Sequence, residues 1–195
     1  MAVVWVVTGG IGSGKSTIRR TLEELGAVTI DADRIGHAVL EPGGTTFDAV
    51  AERWPQVVTD DGLIDRAALG GIVFADPDEL HELEAITHPA IGAGIGRRID
   101  DAGDRVVVVE ISVPKDLVGA GWLQTVVADL PTDERRQRLI DRGMEPEDVD
   151  RRMASQPSRD GWRARGRWVI STSGTRDQVA ERVHRLWEQV IQDSR

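Results

Sequence analysis

The chain has 195 residues, 40% of them apolar and 29% charged, with a formal net charge of −9. A length of this order suits one domain with room for an inserted subdomain, buries roughly 70% of its surface on folding, and has a composition that excludes a disordered chain. Cysteine is absent, which excludes disulfide scaffolds, Cys-based zinc sites and thiol chemistry, and the acidic balance argues against nucleic acid as a partner. A small anion remains possible where a few cations converge. Of the 24 basic residues only Lys15 and Lys115 are lysine, and the chain has neither Asn nor Tyr. No apolar run approaches the roughly 18 residues of a membrane-spanning helix. The first apolar run, Ala2 to Val7, has no basic region before it and is too short for a signal peptide, so a cytoplasmic protein with no membrane partner is expected.

Ala2 to Val7 is continuously apolar and β-branched, the pattern of a strand buried on both faces of a parallel sheet. A glycine-rich turn, Thr8 to Gly14, follows. A helix is predicted from Lys15 to Leu25, closed by Gly26. Ala27 to Ile30 is a second short strand, ending at the acidic pair Asp31 and Asp33. Further strands are predicted over Arg105 to Ile111, Gln124 to Asp129 and Arg167 to Ser171. A closing helix follows, with Thr175 and Gln178 as a capping box and Val179, Val183, Leu186 and Trp187 on one face. Strands alternating with helices predict an α/β fold with a mainly parallel, five-stranded sheet. Two stretches break the alternation. Residues 34–103 hold short helical pieces and read as a helical substrate-binding insertion; residues 132–166, rich in Arg, Asp and Glu, read as a helical lid.

Gly9-x-x-x-x-Gly14-Lys15-Ser16 fits the phosphate-binding loop G-x-x-x-x-G-K-[ST]. Glycines allow the backbone to curl so that successive N–H groups face phosphate oxygens, and the following helix adds its positive end. One of only two lysines stands at the position that reaches the β- and γ-phosphates, and the Ser16 hydroxyl is placed to ligate Mg²⁺. The fold expectation is therefore a three-layer P-loop NTPase. ATP would lie along Gly10, Ile11, Gly12, Ser13, Gly14, Lys15, Ser16 and Thr17. The guanine-reading N-K-x-D sequence of common GTPases requires an Asn that this chain lacks.

A kinase needs a group to take the acceptor proton and a lid to exclude water. Asp33 follows the second strand on the edge where a phosphate loop opens, and could accept that proton; its alternative role is to cap the next helix. Asp31 reads as a cap or a water-mediated Mg²⁺ contact. Arg135, Arg138 and Arg142 share a helical face at spacings of three and four, which suits charge developing on a transferred phosphoryl group; the alternative is a solvated face paired with Asp133, Glu134 and Asp141. His88-Pro89 reads as a helix start, with Pro89 at the first helical position.

These segments resemble the dephospho-coenzyme A kinase family. The resemblance runs through Thr8 to Thr17, Ile30-Asp31-Ala32-Asp33, Glu41-Pro42-Gly43, Asp61 to Leu69, Phe74-Ala75-Asp76, His88 to Ile91, Arg142-Gly143-Met144 and Arg152 to Gln156. It implies that ATP phosphorylates the ribose 3′-hydroxyl of dephospho-coenzyme A, the last step of coenzyme A synthesis. It implies Asp33 as base, Arg142 as a lid arginine, and Thr8, Arg66 and His88 on the acceptor side. The insertion would then bind coenzyme A. Two stretches depart from the family pattern: after the Arg105–Ile111 strand, where Ile-Pro-Leu-Leu-x-Glu is usual, Ile111 is followed by Ser112-Val113-Pro114-Lys115-Asp116, and Ser171-Thr172-Ser173-Gly174 stands where Asp-Asn-x-Gly is usual. The first makes a kinase for another small-molecule or nucleotide acceptor an alternative, and an ATP-binding regulator without catalysis is a third reading. The oligomeric state is left open.

Overall fold

Continuous β-branched runs build the sheet, because only a strand covered on both faces can bury every residue of such a run. In the computed structural model, which describes residues 3–112 and 124–193, the strands are β1 (Val4–Thr8), β2 (Val28–Asp31), β3 (Val107–Glu110), β4 (Thr125–Asp129) and β5 (Trp168–Ser171). All pair in parallel, in the order β2-β3-β1-β4-β5. β1 is thus central, and Val6, Val7, Val107, Val108, Val109, Val126 and Val127 are buried.

The helix α1 (Lys15–Glu24) packs on one face of the sheet with the closing helix, which spans Arg176–Asp193. Ile18 and Leu22 from the first, and Val179, Val183 and Leu186 from the second, meet Trp5, Val7, Val108 and Val126. Each such large apolar side chain contributes about 1.5–3 kcal/mol on burial. The expected capping box is present at the closing helix: the Thr175 amide donates to Gln178 Oε1 at 3.0 Å and the Gln178 amide to Thr175 Oγ1 at 3.3 Å.

The chain divides into two compact units, Met1–Asp31 with Ile99–Arg195, and Ala32–Arg98. The second unit holds α2 (Ala32–Ala38), α3 (Phe47–Arg53), a 3-10 turn (Pro55–Val57), α4 (Arg66–Val73) and most of α5 (Pro77–Asp101). Val50, Trp54, Val57, Ile64, Leu69 and Val73 form its apolar core, and Trp54 Nε1 donates to Glu79 Oε2 at 2.7 Å. The segment read as a lid forms α6 (Thr132–Ile140), α7 (Pro146–Ala154) and α8 (Arg159–Arg163) and belongs to the first unit. The closing helix is α9.

Two local expectations change. His88-Pro89 does not begin a helix; it lies inside the 25-residue α5. Proline lacks the N–H that would bond the Ala85 carbonyl, but Ala85 and Pro89 are exposed, so water can take that place. The second change concerns Arg142, which is not on α6. That helix stops at Ile140, and the Gly143 amide donates to the Ile140 carbonyl at 2.8 Å with Gly143 at φ 88°. A left-handed glycine ends a helix without steric cost. Among the described residues no helix is long and apolar enough to cross a membrane.

Candidate active site

The five strands end along one edge, at Asp31, Glu110, Thr8, Asp129 and Ser171, and the glycine-rich loop leaves the central strand there. Gly14 immediately precedes α1 with φ 89°, a left-handed conformation that a side chain would strain. It offers no side chain to cap the helix, so first-turn amides remain for an anion. The Lys15 ammonium bends back over the loop, donating to the Gly9 carbonyl at 3.0 Å and, at 3.5 Å, to that of Gly10. Thr8 and Ser13 are buried, and each has a hydroxyl oxygen with no hydrogen-bond partner.

Side chains far along the chain hold the loop. The Ile11 amide donates to Gln156 Oε1 at 2.8 Å, and the Ile11 carbonyl accepts from Arg135 Nε at 2.9 Å. Arg138 donates to the Gly12 and Thr172 carbonyls, both at 3.4 Å. The Thr172 hydroxyl donates to the Ser13 carbonyl, tying the β5–α9 connection to the loop. At the end of β4, Asp129 accepts from Arg159 Nε, Arg159 Nη2 and Arg163 Nη1, each at 2.8 Å. The Arg159 hydrogen bonds, with the charges of Arg159 and Arg163, hold the Asp129 carboxyl below the usual carboxylate range. On the other side of β1, Glu110 accepts from Arg19 Nε at 2.7 Å and lies in register with Asp31.

The first unit therefore brings together Thr8, Gly10 to Thr17 and Arg138. Arg142 belongs to the same unit and is exposed in the turn after α6. Asp33 lies in the first turn of α2, Arg66 opens α4, and both are exposed; His88 is half-buried in α5. These three belong to the second unit. Burial lowers the His88 pKa from its ordinary value, favouring the neutral ring. Of the departing segment after β3, Val113 to Asp116 lie outside the described residues. Nothing in the sequence marks the grips of Arg135 and Gln156 on Ile11. The spacing of 135 and 138 placed both arginines on one face, but nothing local marks which backbone group they meet.

A glycine loop between a central parallel strand and a helix, with its lysine folded over it, defines a P-loop nucleotide-binding protein. The shikimate kinase of Bacteroides thetaiotaomicron has the same fold, at a TM-score of 0.52 and 18% identity over 96% of this chain and 98% of that one. The family model for dephospho-CoA kinase matches residues 3–178. A dephospho-CoA kinase of Thermobifida fusca is 39% identical over 94% of each chain. A dephospho-CoA kinase structure from Campylobacter jejuni superposes with a TM-score of 0.72 at 23% identity over 100% of both chains. This chain belongs to the dephospho-CoA kinase family.

Proposed function

We propose that the chain transfers the γ-phosphoryl group of ATP to the ribose 3′-hydroxyl of dephospho-coenzyme A, with Asp33 as the base. The observation that carries this reading is the curled loop with Lys15 and Ser16, in a chain of this family. Membership makes the protein an ATP-dependent kinase of dephospho-CoA that acts in coenzyme A synthesis, and the proposed setting is the cytoplasm.

In the proposed mechanism the triphosphate lies along Gly10 to Thr17, with loop amides and Lys15 on the β- and γ-phosphates. The acceptor oxygen attacks the γ-phosphorus while the bond to the β–γ bridging oxygen breaks, and ADP leaves. The acceptor proton passes to the Asp33 carboxylate. Arg142 meets the charge on the moving group; Thr8, Arg66 and His88 serve the acceptor side. Mg²⁺ fits this site: the Ser16 hydroxyl, half-buried in the first turn of α1, makes no hydrogen bond among the described residues and would hold the ion. Among the described residues no group of three or more acidic or histidine side chains could hold a metal, so phosphate oxygens and water would complete its shell. When bound, the ion offsets charge on the β- and γ-phosphates.

Incubation with Mg-ATP and dephospho-coenzyme A should give ADP and a product heavier by one phosphate, read by mass spectrometry. Asp33→Asn should reduce turnover by on the order of 10²–10³. An Asp33→Asn enzyme that kept most of its activity would reduce Asp33 to a first-turn acid facing the positive end of α2. Turnover only with another alcohol, or ATP binding with no acceptor-dependent turnover, would overturn the assignment.

A further inference from the structure

Arg135 is the most confined cation beside the loop, with only 4% of its surface exposed. Its guanidinium lies flat against Gly10: a methyl group there would fall 2.2 Å from Nη2 and 2.4 Å from Cζ. Glycine at position 10 is what allows this approach. The hydrogen-bond partners of the guanidinium are neutral, namely the Ile11 carbonyl at 2.9 Å and Gln156 Oε1 at 3.4 Å. Among the described residues Arg135 makes no ion pair. The carboxylate whose charge acts on it, Asp129, is already engaged by Arg159 and Arg163.

An arginine cannot shed its proton inside a protein, so burial leaves a full charge short of compensation. Burial indeed works against the charged form here, with Asp129 only partly opposing it. Stability is a weak reason for such an arrangement, since an apolar side chain of similar volume in place of a buried charge is often neutral or stabilising. The arrangement is favourable once a polyanion sits on the other side of Gly10 and Ile11.

We propose that Arg135 is a charge-complementing residue of the nucleotide site: it fixes the Ile11 peptide and places an uncompensated positive charge behind the loop, for which the polyphosphate is the counter-charge. The inference rests on the reading of the loop as an ATP site. It adds a residue that acts on the nucleotide through the loop, in addition to Lys15 and Arg142.

The test is titration of ATP, ADP and adenosine into the whole protein and into Arg135→Gln, Arg135→Met and Arg135→Lys. A full charge held behind the loop attracts the polyphosphate through space, so Arg135→Gln and Arg135→Met should bind ATP roughly 10- to 100-fold more weakly. The loss should be smaller for ADP and absent for adenosine. In steady state it should appear in the KM for ATP more than in kcat, and Arg135→Lys should recover most of it. A merely structural clamp would move all three ligands together and would not be rescued by lysine; that outcome overturns the inference. A second measurement avoids Arg135 variants altogether. In Lys15→Ala, inorganic tripolyphosphate should still raise the melting temperature, and no rise means that Arg135 supplies no usable charge. If the unaltered protein binds ATP and Lys15→Ala weakens it while Arg135→Gln and Arg135→Met are silent, the inference fails and the functional reading stands. If the unaltered protein does not bind ATP, both fail.

Discussion

Around Ile11 and Gly12 the backbone is gripped by three polar side chains, Arg135, Arg138 and Gln156, whereas residues 32–98 gather around Trp54, buried with Val50, Val57 and Leu69. Hydrogen bonds fix direction and distance but add little net stability each, because the unfolded chain bonds to water instead. Apolar burial adds stability without fixing atoms to the same degree. A phosphate loop needs the first kind of support. Its amides must point at one place, and the loop itself has few apolar side chains with which to hold that shape.

Substitutions in the two regions should therefore fail differently. Trp54→Ala should cost the most stability, about 3–5 kcal/mol, through the cavity and the Glu79 hydrogen bond left without its donor. Chemical denaturation measures it, and a loss near that of a surface substitution would contradict the core assignment. Lys15→Ala should do the reverse, lowering turnover by on the order of 10²–10³ while changing stability by about 1 kcal/mol or less. Rate and melting temperature measured on one preparation separate the two.

Asp129→Asn tests the polar region where it also bears stability. The carboxylate is 5% exposed while its arginine partners are 39% and 46% exposed, so the desolvated member is the acid and the arginines can turn to water. A loss of about 1–3 kcal/mol is expected at neutral pH. Because the folded pKa is depressed, this contribution is complete above the ordinary value of 3.8 and is lost as pH falls through the lowered folded value. Asp129→Asn should flatten that part of the stability profile. The smallest effect belongs to His88. Its folded pKa lies below the ordinary 6.5, so as pH falls the unfolded chain takes up the proton first. Stability should be full above that value and decline below it. Denaturation midpoints at about pH 7.5 and pH 5.5 should differ less in His88→Gln.

Much of the fold was readable because its signals are local. Val106 to Val109 reads as a strand, and Val107 to Val109 are buried in β3, while Thr175 with Gln178 caps a helix within one turn. His88-Pro89 reads as a helix start because proline favours a first helical position, but that preference is statistical, and a long helix in which Ala85 is exposed tolerates it. Arg142 was placed on a helix because spacing alone carries no stop signal, although Gly143 was there to supply one.

By itself the sequence determined the strand–loop–helix unit and its lysine, since glycines, a β-branched run and a helix start act over a few residues. Only the tertiary structure decided the order of the strands and which side chains hold the loop. The Ile11 peptide meets Arg135 and Gln156 from 124 and 145 positions away, a distance over which no local preference carries information. Those contacts exist because the packed sheet and helices bring the ends of separate elements to one edge.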